Sequence, residues 1–316
     1  MSSAMKAEAS AARLRKENVF IRLGRDIAKN KGAYLFMLPF GLIFLVFTVL
    51  PVVISIVLSF TNFNVVQPPT FAALNNYAKM FFNDTVFRTA LQNTFVIAAI
   101  VGPFSYIASL LFAWLINDLP RVLRALLTLV FYAPSISGAV YMVWPMIFSG
   151  DANGYVNQLL MGLGIIHEPK LWFTDVETMM PMVVIVLLWI SLGAAFLSFI
   201  AGLQSVDKSL YEAGAIDGIK NRYQEFWFIT LPTIRPQLMF GAVMSITGAF
   251  GVGPVITQLV GYPSTDYRVH TVVLHMQDYG NTRFEMGYAC AMATMLFLIM
   301  ILCNKLIQLM LRKVGD

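Results

Sequence analysis

The sequence predicts an all-α integral membrane protein with six transmembrane helices, both termini cytoplasmic, and a short cytoplasmic helix between helices 4 and 5. Three observations lead there. Of the 316 residues, 58% are hydrophobic and only 12% charged, against the roughly 45–50% apolar share of soluble domains, and the mean hydropathy is +0.70. The apolar residues fall in six runs, near 33–60, 91–116, 124–148, 179–204, 236–260 and 286–304, each close to the ~20 residues a spanning helix needs. None contains Asp or Glu, and their only Lys or Arg is Arg124 at the edge of the third. If both termini share a side, seventeen Lys and Arg lie on that side and five on the other, a clear positive-inside asymmetry. The pI near 9.2 is thereby explained without nucleic acid.

Residues 1–32 form a basic leader with no signal-peptide pattern. Phe20, Leu23 and Ile27 share one helical face, with Arg22, Arg25 and Lys29 elsewhere, so a cationic amphipathic helix against inner-leaflet lipid is expected. Residues 33–316 form the six-span domain. Its first run holds Pro39 and Pro51, and is long enough to tilt or kink. In LLWISLGAAFLSF, Trp189 and Ser191 stand out; in VMSITGAFGVGPVI, Ser245, Thr247 and Phe250 do. Such residues serve either as close-packing glue between helices or as the lining of a path for a polyhydroxylated solute. The run GAFGVGP breaks helical regularity, which is tolerated at depth where it is packed or lines a cavity.

Between helices 4 and 5, residues 205–235 form the most polar internal loop. Ser209-Leu210-Tyr211-Glu212 reads as a capping box, starting a helix at Ser209 with Glu212 reaching back. Ala213, Gly214 and Ala215 are small, Ile216 and Asp217 follow, and Gly218 stops the helix. Two turns are too few to be stable in water without a surface to pack on. Tyr223, Phe226 and Trp227 then share one helical face, as in an interfacial segment.

Several chemistries are absent. There is no GxxxxGK[ST], HExxH or GxSxG. Cys290 and Cys303 read as buried free thiols, and His167, His270 and His275 as solvated histidines of outer loops. No metal site and no titratable pair meeting in a cavity are expected. Ion-coupled carriers keep ionisable groups at depth; these spans have none, so the cargo is neutral in its site and the energy comes from elsewhere.

The pattern E-A-G-x-x-D-G followed by F-x-x-I-x-L-P, over Glu212–Gly218 and Phe226–Pro232, resembles the EAA motif of binding-protein-dependent ABC importer permeases. The wider stretch AGLQSVDKSLYEAGAIDGIKNRYQEFWFITLPTIRPQL is similar to the maltose-type sugar and oligosaccharide permeases, and the likeness runs from about residue 33 to the C-terminus. Gly214 replaces the second Ala, and one extra residue stands between Gly218 and Phe226. The resemblance implies that the short helix is a coupling helix. Tyr211, Glu212, Ala213, Gly214, Ala215, Asp217 and Gly218 would meet a cytoplasmic ATPase. It implies a second homologous permease subunit, two ATPase subunits and an extracytoplasmic solute-binding protein docking near 61–90, 149–178 and 261–285. The cargo would be a sugar or oligosaccharide, the location the bacterial plasma membrane. This chain would bind no cofactor, ATP and Mg being used by the ATPase. By position, the sugar path would involve Trp189, Ile190, Ser191, Ala194, Ile246, Thr247, Ala249, Phe250 and Gly253. Two alternatives are an autonomous secondary transporter or facilitator for a neutral solute, and a polytopic membrane enzyme.

Overall fold

The computed structural model describes residues 29–311, so the amphipathic leader around Phe20, Leu23 and Ile27 lies outside the described residues. The chain divides into two units, Met1–Val57 and Leu58–Asp316. The first is built on α1 (Lys31–Leu58), 28 residues long, about 42 Å at the usual helical rise. Proline at 51 cannot donate to the carbonyl one turn back, and a π-helical turn at Leu45–Val49 precedes it.

In the second unit a two-stranded hairpin, β1 (Thr61–Asn62) and β2 (Thr70–Phe71), pairs antiparallel. A short helix, α2 (Asn75–Ala78), runs into a π-turn. Then comes α3 (Thr85–Asn117), capped by Asp84, whose side chain accepts from the Phe87 N–H. α4 (Arg121–Ile136) follows, with Pro134 in its last turn. Beyond Gly138 the chain turns by 84° into the segment Val140–Ile147, which includes α5 (Val143–Ile147). The predicted third span is therefore two helices at a sharp angle. After α6 (Tyr155–Gly162) come α7 (Val176–Ile190) and α8 (Ala194–Ser205), separated by Ser191-Leu192-Gly193.

Two short segments, α9 (Lys208–Ile216) and α10 (Arg222–Glu225), lie between the spans. α11 (Arg235–Phe250) and α12 (Gly253–Val260) meet at 44°. α13 (Val272–Gln277) precedes α14 (Met286–Leu311). Among the described residues four helices are long and apolar enough to cross a bilayer, or six if each bent pair is one span.

Helices α3, α8 and α11 pack on one another at the centre of the second unit. Glycine permits the approach. A Cβ on Gly241 would collide with the Phe199 ring, and one on Gly202 would meet Gln237 Cγ at 2.9 Å. This is small-residue packing of the kind that joins helices in membranes. Phe199 in turn sits edge-on to Tyr106 at 5.5 Å.

Candidate functional site

The polar loop folds differently at its start from the capping-box expectation. Asp207, not Ser209, caps α9, its carboxylate accepting the Ser209 N–H at 3.0 Å. Asp is as good a cap as Ser, and starting two residues earlier adds about half a turn to a short helix. The Ser209 N–H, with a lesser contribution from its hydroxyl, holds the Asp207 carboxyl below its usual range. Glu212 thus lies inside the helix rather than in its capping turn, and its carboxylate is exposed.

The end of α9 is as expected and more fully built. Gly218 takes φ +96°, a conformation that favours glycine. The Ile219 N–H donates to Gly214 O at 2.9 Å and the Gly218 N–H to Ala215 O at 3.3 Å, the paired bonds of a Schellman stop. Gly214 is buried, and a Cβ there would meet Ile229 Cδ1 at 2.6 Å and Ile219 Cδ1 at 3.0 Å. The space of an alanine methyl is filled by two isoleucines. Tyr211 Oη and Thr230 Oγ1 share a hydrogen bond of 3.0 Å. The stub is therefore seated on its own chain, while Glu212, Ala213, Ala215, Asp217 and Gly218 face outward and Ile216 is 87% exposed.

The extra residue lies ahead of Phe226, and the π-helical turn Phe226–Thr230 follows it, a turn that holds one residue more than an α-turn. Tyr223 and Phe226 lie against Trp114 at 5.7 and 4.9 Å and Trp227 meets Phe226 at 6.1 Å, while Tyr223 and Trp227 are both largely exposed. Between this segment and the ends of α3, α4 and α8 lies a cavity of about 620 Å³. Its lining includes the ion pair Arg222–Asp118 at 2.8 Å, so a titratable pair does meet in a cavity. Arg222 also stacks over Trp114 at 4.4 Å and donates to its carbonyl, which fixes it as a brace for the loop.

The second site forms where two broken spans face each other. Ile190, Ser191, Gly193 and Ala194 from the α7–α8 break, and Ser245, Gly248, Ala249, Gly251 and Val252 from the α11–α12 break, line one cavity of about 280 Å³. Ends of α-helices leave up to four N–H or C=O groups without intrahelical partners. Here two C-termini and two N-termini meet one space, with the hydroxyls of Ser105, Ser191 and Ser245. No side chain lining it is charged. The α11–α12 break lies in the run GAFGVGP. The α7–α8 break went unrecognised in sequence, although Gly193 with ψ −129° marks it.

Four of the nine path residues named from sequence line this cavity: Ile190, Ser191, Ala194 and Ala249. Trp189 lines an adjoining, more apolar cavity of about 430 Å³ that shares Ser105, and its ring meets Trp144 at 5.7 Å. Thr247 is exposed. Gly253 is buried against Val273 and Leu274. Ile246 and Phe250 belong to a buried cluster with Phe87, Tyr288 and Met292. Phe250, 3% exposed, is thus core rather than lining. Phe250→Ala is expected to cost about 3–5 kcal/mol of stability, read as a lowered melting temperature in detergent.

Two histidines correct the sequence reading. His167 is exposed, but His270 and His275 are buried. His275 Nε2 lies 2.9 Å from Asp84 Oδ2, and His275 Nδ1 lies 3.1 Å from His270 Nε2. The Tyr288 hydroxyl donates to the same Asp84 oxygen at 2.8 Å. Asp84 stands 191 residues before His275, so nothing local in sequence marked the pair. Cys290 and Cys303 are thiols outside any disulfide and are half-buried rather than buried. Among the described residues no group of His, Cys, Asp and Glu is placed to hold a metal ion.

Residues 105–315 match the family model described as binding-protein-dependent transport system inner membrane component. The chain is 32% identical to the probable ABC transporter permease protein YesP of Bacillus subtilis over 88% of this chain and 90% of that one. It is 32% identical to the arabinooligosaccharides transport system permease protein AraP of the same organism, over 91% of each. It also aligns with a chain from the crystal structure of a bacterial alginate ABC transporter in complex with alginate pentasaccharide-bound periplasmic protein. That alignment has a TM-score of 0.75 at 21% identity, covering 93% of this chain and 99% of the other. The structural likeness establishes the fold.

Proposed function

The chain belongs to the family of inner-membrane components of binding-protein-dependent transport systems, and from that membership we propose that it forms half of the translocation path of an ATP-driven importer for a sugar or oligosaccharide. It is a multi-pass permease subunit and not an enzyme. It pairs with a second homologous permease, and two cytoplasmic ATPase subunits use ATP and Mg on its behalf. An extracytoplasmic solute-binding protein delivers the cargo. Both termini and residues 205–235 face the cytoplasm of a bacterial cell.

The observation that carries the reading is α9, a seated helix that turns the Glu212 carboxylate outward in a chain without a nucleotide-binding loop. The cavity between α7–α8 and α11–α12, mainly apolar and without a charged side chain but holding Ser105, Ser191 and Ser245, supports a neutral cargo. The names of relatives such as AraP support the sugar class.

The test is uptake into proteoliposomes holding the assembled importer. Entry must require internal ATP and the binding protein; uptake that persists with the ATPase inactivated would establish an autonomous carrier instead. A path variant sharpens it. A Cβ on Gly248 would meet nothing within 4 Å and would point into open space by the cavity. Gly248→Leu is expected to reduce uptake at least ~10-fold, as a misplaced group in a confined site does, with the melting temperature unchanged.

A further inference from the structure

We propose that the buried chain Asp84–His275–His270 is a proton-sensitive latch that holds the segment 262–285 against the starts of α3 and α14 and releases it in acid. The residues come from two stretches far apart in sequence, Asp84 and the His270–His275 segment, with His275 191 residues beyond Asp84. Asp84 caps α3 through Oδ1, leaving Oδ2 for His275 and for Tyr288 in α14. His275 sits on α13 and His270 ahead of it. The same seam is closed by Asn93, whose side-chain amide donates to Tyr267 O and His270 O. Thr94 adds a further bond, its hydroxyl accepting the Val272 N–H at 2.9 Å.

The proton positions follow from chemistry. A carboxylate only accepts, so His275 Nε2 carries the hydrogen facing Asp84. His275 Nδ1 then accepts from His270 Nε2–H. That leaves His270 Nδ1 as a bare lone pair, buried and without a partner. One more proton would have to sit at that atom, where no protein acceptor lies within hydrogen-bond reach, and a buried polar hydrogen without a partner is costly.

The charged and titratable neighbours do not relieve it. Tyr262 lies tilted to His270 at 5.8 Å and Tyr267 edge-on to it at 5.2 Å, and Tyr279 is edge-on to His275 at 5.0 Å. Lys79 is paired with Glu285 at 2.6 Å and lies over the rings of Tyr279 and Tyr288. Asp278 is paired with Arg283 at 2.8 Å. Burial, and after it the neighbouring His275, push His270 down to about 4, against a weaker upward pull from Asp278 and Asp84. Burial raises Asp84, but the bonds from His275, Phe87 and Tyr288 outweigh it and hold the carboxyl below its usual range.

The sign is then fixed. The closed form keeps His270 neutral, while the opened segment exposes an imidazole titrating near 6.5. Between roughly pH 6.5 and pH 4 the open form binds a proton that the closed form refuses, so opening gains up to tenfold per pH unit. Above that window the latch is at full strength.

The experiment is hydrogen–deuterium exchange of the assembled importer in nanodiscs between pH 7.5 and pH 4.5, corrected for intrinsic exchange. In the native protein, protection of 262–285 should fall at least ~10-fold from pH 6.5 to pH 4.5, while the α14 core stays protected. His270→Gln keeps an N–H for His275 and cannot titrate, so it should remain protected across that window. A native protein whose 262–285 protection does not change with pH, or a His270→Gln profile matching the native one, overturns the proposal. The readout is the segment itself, so it stands or falls independently of the cargo.

Discussion

Glu212→Ala is expected to abolish ATP-driven uptake and to release the ATPase from the permease during purification, with the permease's own melting temperature unchanged. The separation of the two effects rests on Asp207. Had Glu212 completed a capping box, its loss would unravel α9 and the two outcomes would be confounded. Because Asp207 supplies the cap, Glu212 is an exposed carboxylate on a helix that does not need it. Truncating one member of a desolvated charge pair costs about 2–5 kcal/mol of association, enough to lose a partner on a column. A variant that retains both the ATPase and uptake would remove Glu212 from the coupling role.

Gly287→Ala is expected to be the most damaging methyl that can be added to the second unit. The new Cβ would collide with the Thr61 carbonyl oxygen and approach Phe63 N to 3.0 Å. These are backbone atoms, which cannot turn aside as a side chain does. The Gly287 N–H also donates to Phe63 O at 3.0 Å, so β1 cannot retreat without breaking that bond. Overpacking costs about 1–3 kcal/mol where side chains can shift, and this contact belongs at the upper end. Thermal unfolding in detergent checks it. Gly102→Ala is the control, since its methyl would meet only Ala249 Cβ at 3.8 Å.

What the sequence disclosed follows the range of the interaction. Apolar runs are local, and the long helices α1, α3 and α14 lie where hydropathy put them. The stop at Gly218 and the break in GAFGVGP were legible because glycine acts on its own backbone. The cap was misplaced because Asp207 and Ser209 are both competent and two residues apart, and only the fold chooses. The π-turn at Phe226–Thr230 was not legible because 3.6-residue periodicity does not represent it. Asp84–His275 and Lys79–Glu285 were invisible for a different reason: their partners are 191 and 206 residues apart. The lining of the cavity between the broken spans was half legible. The family resemblance, by matched position, pointed to Ser191 and Ala194, but whether a residue such as Phe250 faces a cavity or a neighbouring helix is decided by packing.

The seat beneath α9 has a thermodynamic consequence. A segment that folds as it binds carries a large unfavourable entropy and a heat-capacity change beyond what its contact area explains. α9 is already closed at one end by Asp207, at the other by the Gly218 stop, and tethered through Tyr211 to Thr230. On the proposed reading, calorimetry of ATPase association should register the burial of a finished surface centred on Ile216 and Glu212, with no folding component.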